Sequence, residues 1–274
     1  MARRTRSTRK TVINYPSFGA LIEDALKPAP GLSYRGSRGY SEGFHSVPSF
    51  DEAATLAFNW PEGVKRMSAV RANIAQGKAW RKTVYRRPNM PGSLMMGDYL
   101  IGHPEPYAAI RRKPENTMRK GKTPVVRVFV NLACSAGISN TSLEARGAAV
   151  LAMVDAIEAA GYSAEVVVGA HSGKGSASYD FRVMVKRASD KLNLNSVAFA
   201  LGNPDTFRRF IFGAREATLG LQSCSVLEWN DIPEDAIHIG CMNVEYGHKW
   251  TTPESSRKWI VSELAKQGIN VELA

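Results

Sequence analysis

The sequence has no run of roughly 18 or more apolar residues, so it contains no segment typical of a transmembrane helix. Its first residues, MARRTRSTRK, also lack the apolar stretch that a secretory signal needs. We therefore expect a cytoplasmic protein without a membrane partner.

Cysteine is scarce as well, with Cys134, Cys224 and Cys241 as the full set. They are odd in number and far apart, and none has the CxxC or Cys/His spacing of a metal site. This pattern predicts small buried side chains and no disulfide framework. We expect neither a bound metal nor another cofactor.

Acidic residues are rare in the first part of the chain. Residues 1–122 hold 22 Lys+Arg and 9 Asp+Glu, whereas residues 123–274 hold 14 and 16. The formal net charge of +11 therefore comes entirely from the first part. This asymmetry predicts an acidic partner for residues 1–122, most commonly nucleic acid, and an ordinary globular domain for the rest.

The basic part of the chain also contains aromatic residues. Residues 1–11 carry five Lys/Arg and no acid, and residues 78–122 interleave basic clusters with aromatic rings. Cations can follow phosphates while rings stack on bases, which predicts a surface for single-stranded DNA or RNA. The alternative is an irregular arm with buried rings and solvated arginines. The predicted nucleic-acid-binding residues are Arg3, Arg4, Arg6, Arg9, Lys10, Trp80, Arg81, Lys82, Tyr85, Arg86, Arg87, Arg111, Arg112 and Lys113.

Composition divides the chain into three predicted segments. Residues 1–48 read as a basic arm and a Gly/Pro-rich tether. Residues 49–122 read as a small basic region of helices and loops, which opens with a capping box at Ser49 and Glu52. Residues 123–274 read as one α/β domain.

Strand and helix patterns alternate throughout residues 123–274. The apolar run VVRVFVNL is typical of a buried parallel strand, and the helix after it is predicted to stop at Gly161. Two further strands are joined by a polar hairpin turn, followed by helices, the strand AIHIGCM, a helix and the short strand INVELA. The order predicts a doubly wound, mainly parallel sheet with helices on both faces.

The turn after the first of these strands, ACSAG, could hold a hydrolase nucleophile at Ser135. Chain order permits a triad of Ser135 with Asp205 or Asp231 and with His238 or His248. However, no oxyanion-loop motif precedes the turn, and His238 alternates with apolar residues as a structural strand histidine does. A serine hydrolase is therefore ranked behind the two non-enzymatic functions that are described below.

The same order of elements resembles the von Willebrand factor A domain, and RGAAVLAMVDAIEAAGYSAEVVVGA is similar to its intracellular members, such as those in cobaltochelatase subunits. In that family the first strand ends in Asp-x-Ser-x-Ser, which holds a divalent cation with a distant Thr and a second Asp. Here Asn131 and Ala133 replace the Asp and the first Ser, Ser135 is retained, and Asn243 matches the second Asp. The resemblance thus implies an A-like domain with a degenerate metal site, because neutral amides lack the charge that such cations need.

The stretch SFDEAATLAFNWPEG resembles a segment that precedes such domains in uncharacterised bacteriophage proteins, which implies a viral origin and a host-cytoplasmic location. Together these features predict a non-enzymatic docking protein. Its basic N-terminal half would bind nucleic acid, and its metal-free A-like domain would bind a protein partner, with homo-oligomer formation left open. The alternative is a virion structural or assembly protein whose basic arm contacts the genome.

Overall fold

The structure is a computed structural model that describes residues 9–33, 35–75, 80–82, 85–86, 93–94, 107–110, 123–174, 177–222, 227–229, 232–243, 250 and 252–273. In chain order its elements are β1 (Arg9–Tyr15), α1 (Phe18–Leu26), a short 3-10 helix (Gly36–Arg38), α2 (Phe50–Leu56), α3 (Pro61–Ala75), β2 (Trp80–Lys82), β3 (Tyr85–Arg86), β4 (Ser93–Leu94), β5 (Tyr107–Ile110), β6 (Val125–Asn131), α4 (Asn140–Ala159), β7 (Ser163–Lys174), β8 (Ala177–Lys186), α5 (Leu194–Gly202), a π-helix (Thr206–Ile211), α6 (Phe212–Leu219), β9 (Ile237–Ile239), α7 (Pro253–Lys266) and β10 (Val271–Leu273).

The main sheet has five strands in the order β1-β8-β7-β6-β9. The pairs β1/β8, β6/β7 and β6/β9 are parallel, whereas β7/β8 is an antiparallel hairpin. The chain is therefore an α/β protein with a mostly parallel, mixed sheet. The predicted hairpin is confirmed, although its strands extend into the predicted polar turn and leave only residues 175–176 between them.

All the described helices that contribute to a core pack on one face of this sheet. Alternate residues of β6 and β7, such as Val128 and Val166, join the helices in one large cluster of buried side chains. The opposite face carries a small cluster of four residues, Phe129, Val167, Trp229 and Ala236. The predicted doubly wound arrangement with helices on both faces is thus not confirmed in the described part of the chain.

The N-terminal segment belongs to the same core. Strand β1 extends the sheet by pairing with β8, and α1 buries Phe18, Leu21 and Ile22 in the large cluster. This arrangement differs from the predicted arm and tether over residues 1–48, because β1 is a strand of the main sheet and α1 packs into the core that covers it. The predicted boundary before residue 123 is likewise crossed by α3, which packs against α4 and α7.

Local signals explain where several helices begin and end. Ser49 accepts a hydrogen bond from the Glu52 amide at the start of α2, and Thr252 forms a capping box with Ser255 at the start of α7. Gly161, at φ +82°, follows the end of α4 because a left-handed residue closes a helix and glycine adopts that conformation without strain.

The remaining described strands form two small antiparallel sheets, β10-β2 and β3-β5-β4. Strand β10 was expected to end the main sheet, but it pairs with β2 from the basic middle region instead. Among the described residues, no helix combines the length and apolarity that crossing a membrane requires.

Candidate functional site

A groove of about 440 Å³ lies on the face of the main sheet that the helices leave open. Its floor is formed by Phe129 of β6, Val167 of β7 and Met184 of β8. In the strand register Phe129 is the partner of Val167, and Val167 is the partner of Met184. The three side chains therefore form an apolar row across three adjacent strands.

Three arginines surround this apolar floor. Arg127 and Arg187 have side chains that are 46% and 54% exposed, and the guanidinium of Arg182 lies 5.8 Å from the centre of the Phe129 ring. Glu165 is the one carboxylate of the lining. The lining thus holds three guanidiniums and one carboxylate around an apolar floor, and each guanidinium also has a carboxylate neighbour outside the lining, namely Asp235, Asp180 and Asp190. Half-exposed guanidiniums beside an apolar floor suit a flat ligand that carries negative charge at its edge.

The groove arginines are held in place by neighbouring groups. Arg182 forms an ion pair with the buried Asp180 at 3.0 Å, and Arg187 donates to the Pro16 carbonyl at 2.8 Å. Among the described residues, Arg127 has a long contact of 3.9 Å with the exposed Asp235. The guanidinium of Arg127 is thus the most weakly engaged of the three.

The second candidate location is the turn at the carboxyl end of β6. The pairing of β6 with β9 continues past both strands, because Met242 donates to the Ala133 carbonyl and Ser135 donates back to the Met242 carbonyl, each at 2.9 Å. This brings the Ser135 hydroxyl within 3.1 Å of the Asn243 amide oxygen, to which it donates a hydrogen bond. Ser135 and Asn243, which the sequence assigns to one degenerate site, are therefore neighbours.

Asn131 fastens this turn to the segment around residue 227. Its side chain is fully buried, its Nδ2 donates to the Leu227 carbonyl at 2.8 Å, and its Oδ1 accepts from the Ala133 amide at 3.0 Å. An ionised aspartate in this place could not donate to Leu227. The amide thus has a structural function that the equivalent acid could not perform.

Buried arginines make the surroundings of the turn positive. Arg146 donates to the Asn131 carbonyl at 3.0 Å, and Arg208 donates to the Ser135 carbonyl at 3.2 Å. Both side chains are almost fully buried, and burial lowers the pKa of Arg146. No group of three or more His, Cys, Asp or Glu in the described ranges could hold a metal ion. The charge at this turn is thus opposite to what a divalent cation needs.

Residues 3–270 match the model of one protein family, which is described as a domain of unknown function, DUF7192. The chain belongs to the DUF7192 family. The comparisons match it to no curated protein and to no solved structure.

The described residues of this DUF7192 protein do not assemble a hydrolase triad around Ser135. Its hydroxyl is bound to Asn243, whereas His238 Nε2 lies 3.7 Å from Glu228 and Asp205 forms an ion pair with Arg209. Asp231 and His248 lie outside the described residues. In this geometry Ser135 has an amide as its partner, and an amide cannot act as a general base.

The predicted nucleic-acid-binding residues either lie outside the described part of the chain or belong to one of three strands. Arg9 begins β1, Trp80, Arg81 and Lys82 form β2, and Tyr85 and Arg86 form β3. Outside the described residues are Arg3, Arg4, Arg6, Arg87, Arg111, Arg112 and Lys113.

Lys10 is exposed, but it belongs to a strand and not to an irregular arm. It lies in β1, and its ammonium group is 3.1 Å from the carboxylate of the fully buried Asp180. Burial by itself would raise the pKa of Asp180, but hydrogen bonds from His171, Lys10 and Arg182 lower it below its usual value. Lys10 therefore compensates a buried charge and helps to attach β1 to the sheet.

Two of the three cysteines lie in the described ranges, and both are buried as predicted. Burial, together with a hydrogen bond involving Glu228, raises the pKa of Cys241 to about 12. Its thiol is therefore protonated at neutral pH.

The groove was not predicted from the sequence, although the sequence contains a signal for it. Arg127 interrupts the apolar run of β6, and Arg182 interrupts that of β8. A strand buried on both faces has no place for such residues, so a charge between apolar neighbours indicates an open face.

Replacing Asn131 by aspartate is expected to destabilise the protein by about 2–3 kcal/mol, because it buries a charge beside Glu228 and removes the donor to Leu227. The matched change Asn243→Asp, at a half-buried position, should have a smaller effect. Urea denaturation of both variants measures the difference. Equal destabilisation would show that the effect does not depend on the burial of Asn131.

Millimolar Mg²⁺ is expected to leave the stability of the wild-type protein unchanged.

Proposed function

We propose that this DUF7192 protein is a non-enzymatic nucleic-acid-binding protein, and that the groove on the open face of its main sheet receives a single strand. The observation that carries the proposal is the apolar row of Phe129, Val167 and Met184 with three arginines around it. A single strand offers both of the matching surfaces, namely flat base faces and a regular series of phosphates.

The size of the groove favours a single strand over a duplex. A volume of about 440 Å³ lies within the range of pockets that hold compact ligands, so it suits one or two nucleotides. A duplex hides the faces of its bases inside the stack and offers a protein its grooves and phosphates instead. Contact with an apolar floor therefore requires unpaired bases.

The arginines supply the part of the affinity that depends on charge. Arg127 and Arg187 are about half exposed, so each can turn toward a phosphate without uncovering the core. Arg182 lies over the apolar floor, where a guanidinium can stack against a base. The basic excess of residues 1–122 would add attraction that is independent of sequence.

Protein docking through an A-like domain is the second part of the proposal. The antiparallel β7/β8 hairpin and the contact between Ser135 and Asn243 support an A-like arrangement of residues 123–274. The carboxyl edge of the sheet would then face a protein partner without a metal ion, since buried arginines underlie it. A test is pull-down with the wild-type protein in the presence of a chelator, which should leave partner capture unchanged.

The double variant Arg127→Gln, Arg187→Gln is expected to weaken binding of a single-stranded oligonucleotide about tenfold. It should also lower the slope of log Kd against the logarithm of the salt concentration by about two. The physical reason is that two phosphate contacts and their released counterions are lost. Fluorescence anisotropy with a labelled oligonucleotide over a salt series measures both quantities. A duplex of the same length should bind more weakly than the single strand.

A charge-matched control is the double variant Arg66→Gln, Lys258→Gln, whose exposed positions lie on α3 and α7 in the helical layer. It also removes two positive charges, and its affinity should stay within about twofold of that of the wild-type protein. If both double variants weaken binding equally, the oligonucleotide binds over the basic surface as a whole and does not use the groove. Absence of binding at low salt would contradict the nucleic-acid function itself, and large symmetric assemblies in light scattering would favour the assembly alternative.

A further inference from the structure

A polar row lies along one side of the apolar floor of the groove. In the strand register Glu165 of β7 is the partner of Arg127 of β6. Toward β8, Val166 is the partner of Lys186, so Arg187 comes beside Glu165 just past the end of that strand. Glu165, Arg127 and Arg187 all line the groove. Glu165 therefore lies between two arginines from the neighbouring strands.

The Glu165 carboxylate is paired with neither of these arginines. Arg127 has Asp235 as its carboxylate neighbour and Arg187 has Asp190, each at 3.9 Å. Among the described residues, the half-buried side chain of Glu165 has no ion pair and no hydrogen bond. An ionised carboxylate only accepts hydrogen bonds, so its partner in an occupied groove is a donor of the ligand. Phosphates offer it no donor and repel it.

The polar row is close enough to the floor to meet the edge of a base that is stacked there. Glu165 and Val167 are two positions apart in β7 and face the same side of the sheet, which spaces them by roughly 6–7 Å. A purine ring system has a similar length. A purine that lies on Phe129 and Val167 therefore brings one edge to the Glu165 carboxylate.

We propose that the groove selects guanine among the bases and that Glu165 reads its Watson–Crick edge, an inference that rests on the single-strand function proposed above. Guanine presents two donors side by side, N1–H and the N2 amino group, which match the two oxygens of a carboxylate. Adenine and cytosine place a ring-nitrogen acceptor beside their amino group, and thymine and uracil place a carbonyl on each side of their ring N–H. These bases offer Glu165 at most one hydrogen bond and set an acceptor against its charge.

The groove residues thus divide binding between them. Arg127 and Arg187 contact phosphates whatever the sequence, whereas Glu165 repels phosphates and gains its hydrogen bonds from guanine alone. Removal of the carboxylate charge should therefore have opposite effects on two kinds of strand. A strand with guanine should bind more weakly, and a strand without guanine should bind at least as tightly as before.

Fluorescence anisotropy with short labelled oligothymidine strands that differ only in the central base tests the inference. The wild-type protein is expected to bind the strand with a central guanine about tenfold more tightly than those with adenine, cytosine or thymine. Inosine lacks the N2 amino group, so a central inosine should remove most of this preference. Free guanosine monophosphate should displace a labelled strand at a lower concentration than adenosine monophosphate does.

The decisive variant is Glu165→Gln, which keeps the size of the side chain but offers one acceptor oxygen in place of two. Its affinity for the guanine strand should be within about twofold of that for the thymine strand. The thymine strand should bind no more weakly than it does to the wild-type protein, which a misfolded variant would not show. The matched control Glu254→Gln, at an exposed position of α7 in the helical layer, should keep the full guanine preference.

The results that contradict guanine selection differ from those that contradict the single-strand function. Equal affinity for all the strands, with binding still weakened by Arg127→Gln, Arg187→Gln, would overturn guanine selection alone. A guanine preference that survives Glu165→Gln would overturn the assignment to Glu165. A preference for RNA over DNA that depends on Glu165 but not on the base would overturn it as well, because the carboxylate would then accept from the 2′-hydroxyl. Absence of binding by every strand at low salt would contradict both proposals.

Discussion

Gly169→Ala is expected to destabilise the protein by at least about 3 kcal/mol, which is a large fraction of the stability of an ordinary domain. Gly169 lies in β7 on the open face of the sheet, at the register position opposite Arg182 of β8. A Cβ atom there would be 1.8 Å from the Phe181 carbonyl oxygen and 2.8 Å from the Trp229 ring. Because the carbonyl belongs to the backbone of the neighbouring strand, relief would require β7 and β8 to separate.

Gly173 supplies a matched control in the same strand. A Cβ added at Gly173 would have its nearest neighbours at 3.8 and 3.9 Å, which is ordinary contact. Gly173→Ala is therefore expected to change stability by less than about 1 kcal/mol. Chemical denaturation of the two variants, followed by circular dichroism, measures the contrast. Similar stability of both would show that the close approach of Phe181 and Trp229 to Gly169 is not maintained in solution.

Arg209→Met is expected to destabilise the protein by about 3–5 kcal/mol. The Arg209 guanidinium is fully buried and donates to four backbone carbonyls of the N-terminal segment, those of Ser37, Gly39, Val47 and Pro48, while pairing with Asp205. Methionine keeps an apolar, unbranched stem but has no donor, so it would leave buried carbonyls and a buried carboxylate without their partner. Thermal or urea denaturation measures the loss.

The matched control is Arg66→Met, at a position whose side chain is 52% exposed and forms a surface ion pair with Glu144. That change should alter stability by less than about 1 kcal/mol. Limited proteolysis provides a second readout. In Arg209→Met, cleavage should begin within residues 37–48, since these lose their attachment to the π-helix. Uniform resistance of that segment would contradict the assigned function of Arg209.

The helices and the central strands could be predicted because their signals are local. Capping residues, glycine stops and apolar periodicity place the starts of α2, α3 and α7, the end of α4 and the run of β6. The β7/β8 hairpin also follows from two β-rich runs around a polar turn. These features depend on neighbours within a few residues, and the sequence displays them directly.

Strand β1 could not be predicted in the same way. Its sequence, RKTVINY, reads as part of a basic arm, and its partner β8 follows after about half the chain. The link between the two strands includes the ion pair of Lys10 with Asp180, a residue that lies 170 positions further along the chain. No local pattern records such a pairing, and the same reason explains why β10 was assigned to the wrong sheet.

The candidate sites were predictable to different degrees. The contact between Ser135 and Asn243 follows from the order of the strands, since the carboxyl ends of adjacent parallel strands meet. The groove depends on which face of the sheet the helices leave open, and that is decided by packing over the whole domain. The buried arginines were equally hidden, because Arg146, Arg208 and Arg209 read in sequence as solvated residues of amphipathic helices.

The pairing of β1 with β8 also bears on how the chain folds as it is synthesised. Residues 9–15 leave the ribosome early, but their partner strand spans residues 177–183 and is made only after roughly 170 further residues. At ordinary translation rates this delay is on the order of ten seconds or more. During that interval the exposed apolar side chains of β1 and α1 have no sheet to pack on. The nascent chain thus passes through a long stage in which its N-terminal segment is open to chaperones, and closure of the sheet edge is a late, high-contact-order step.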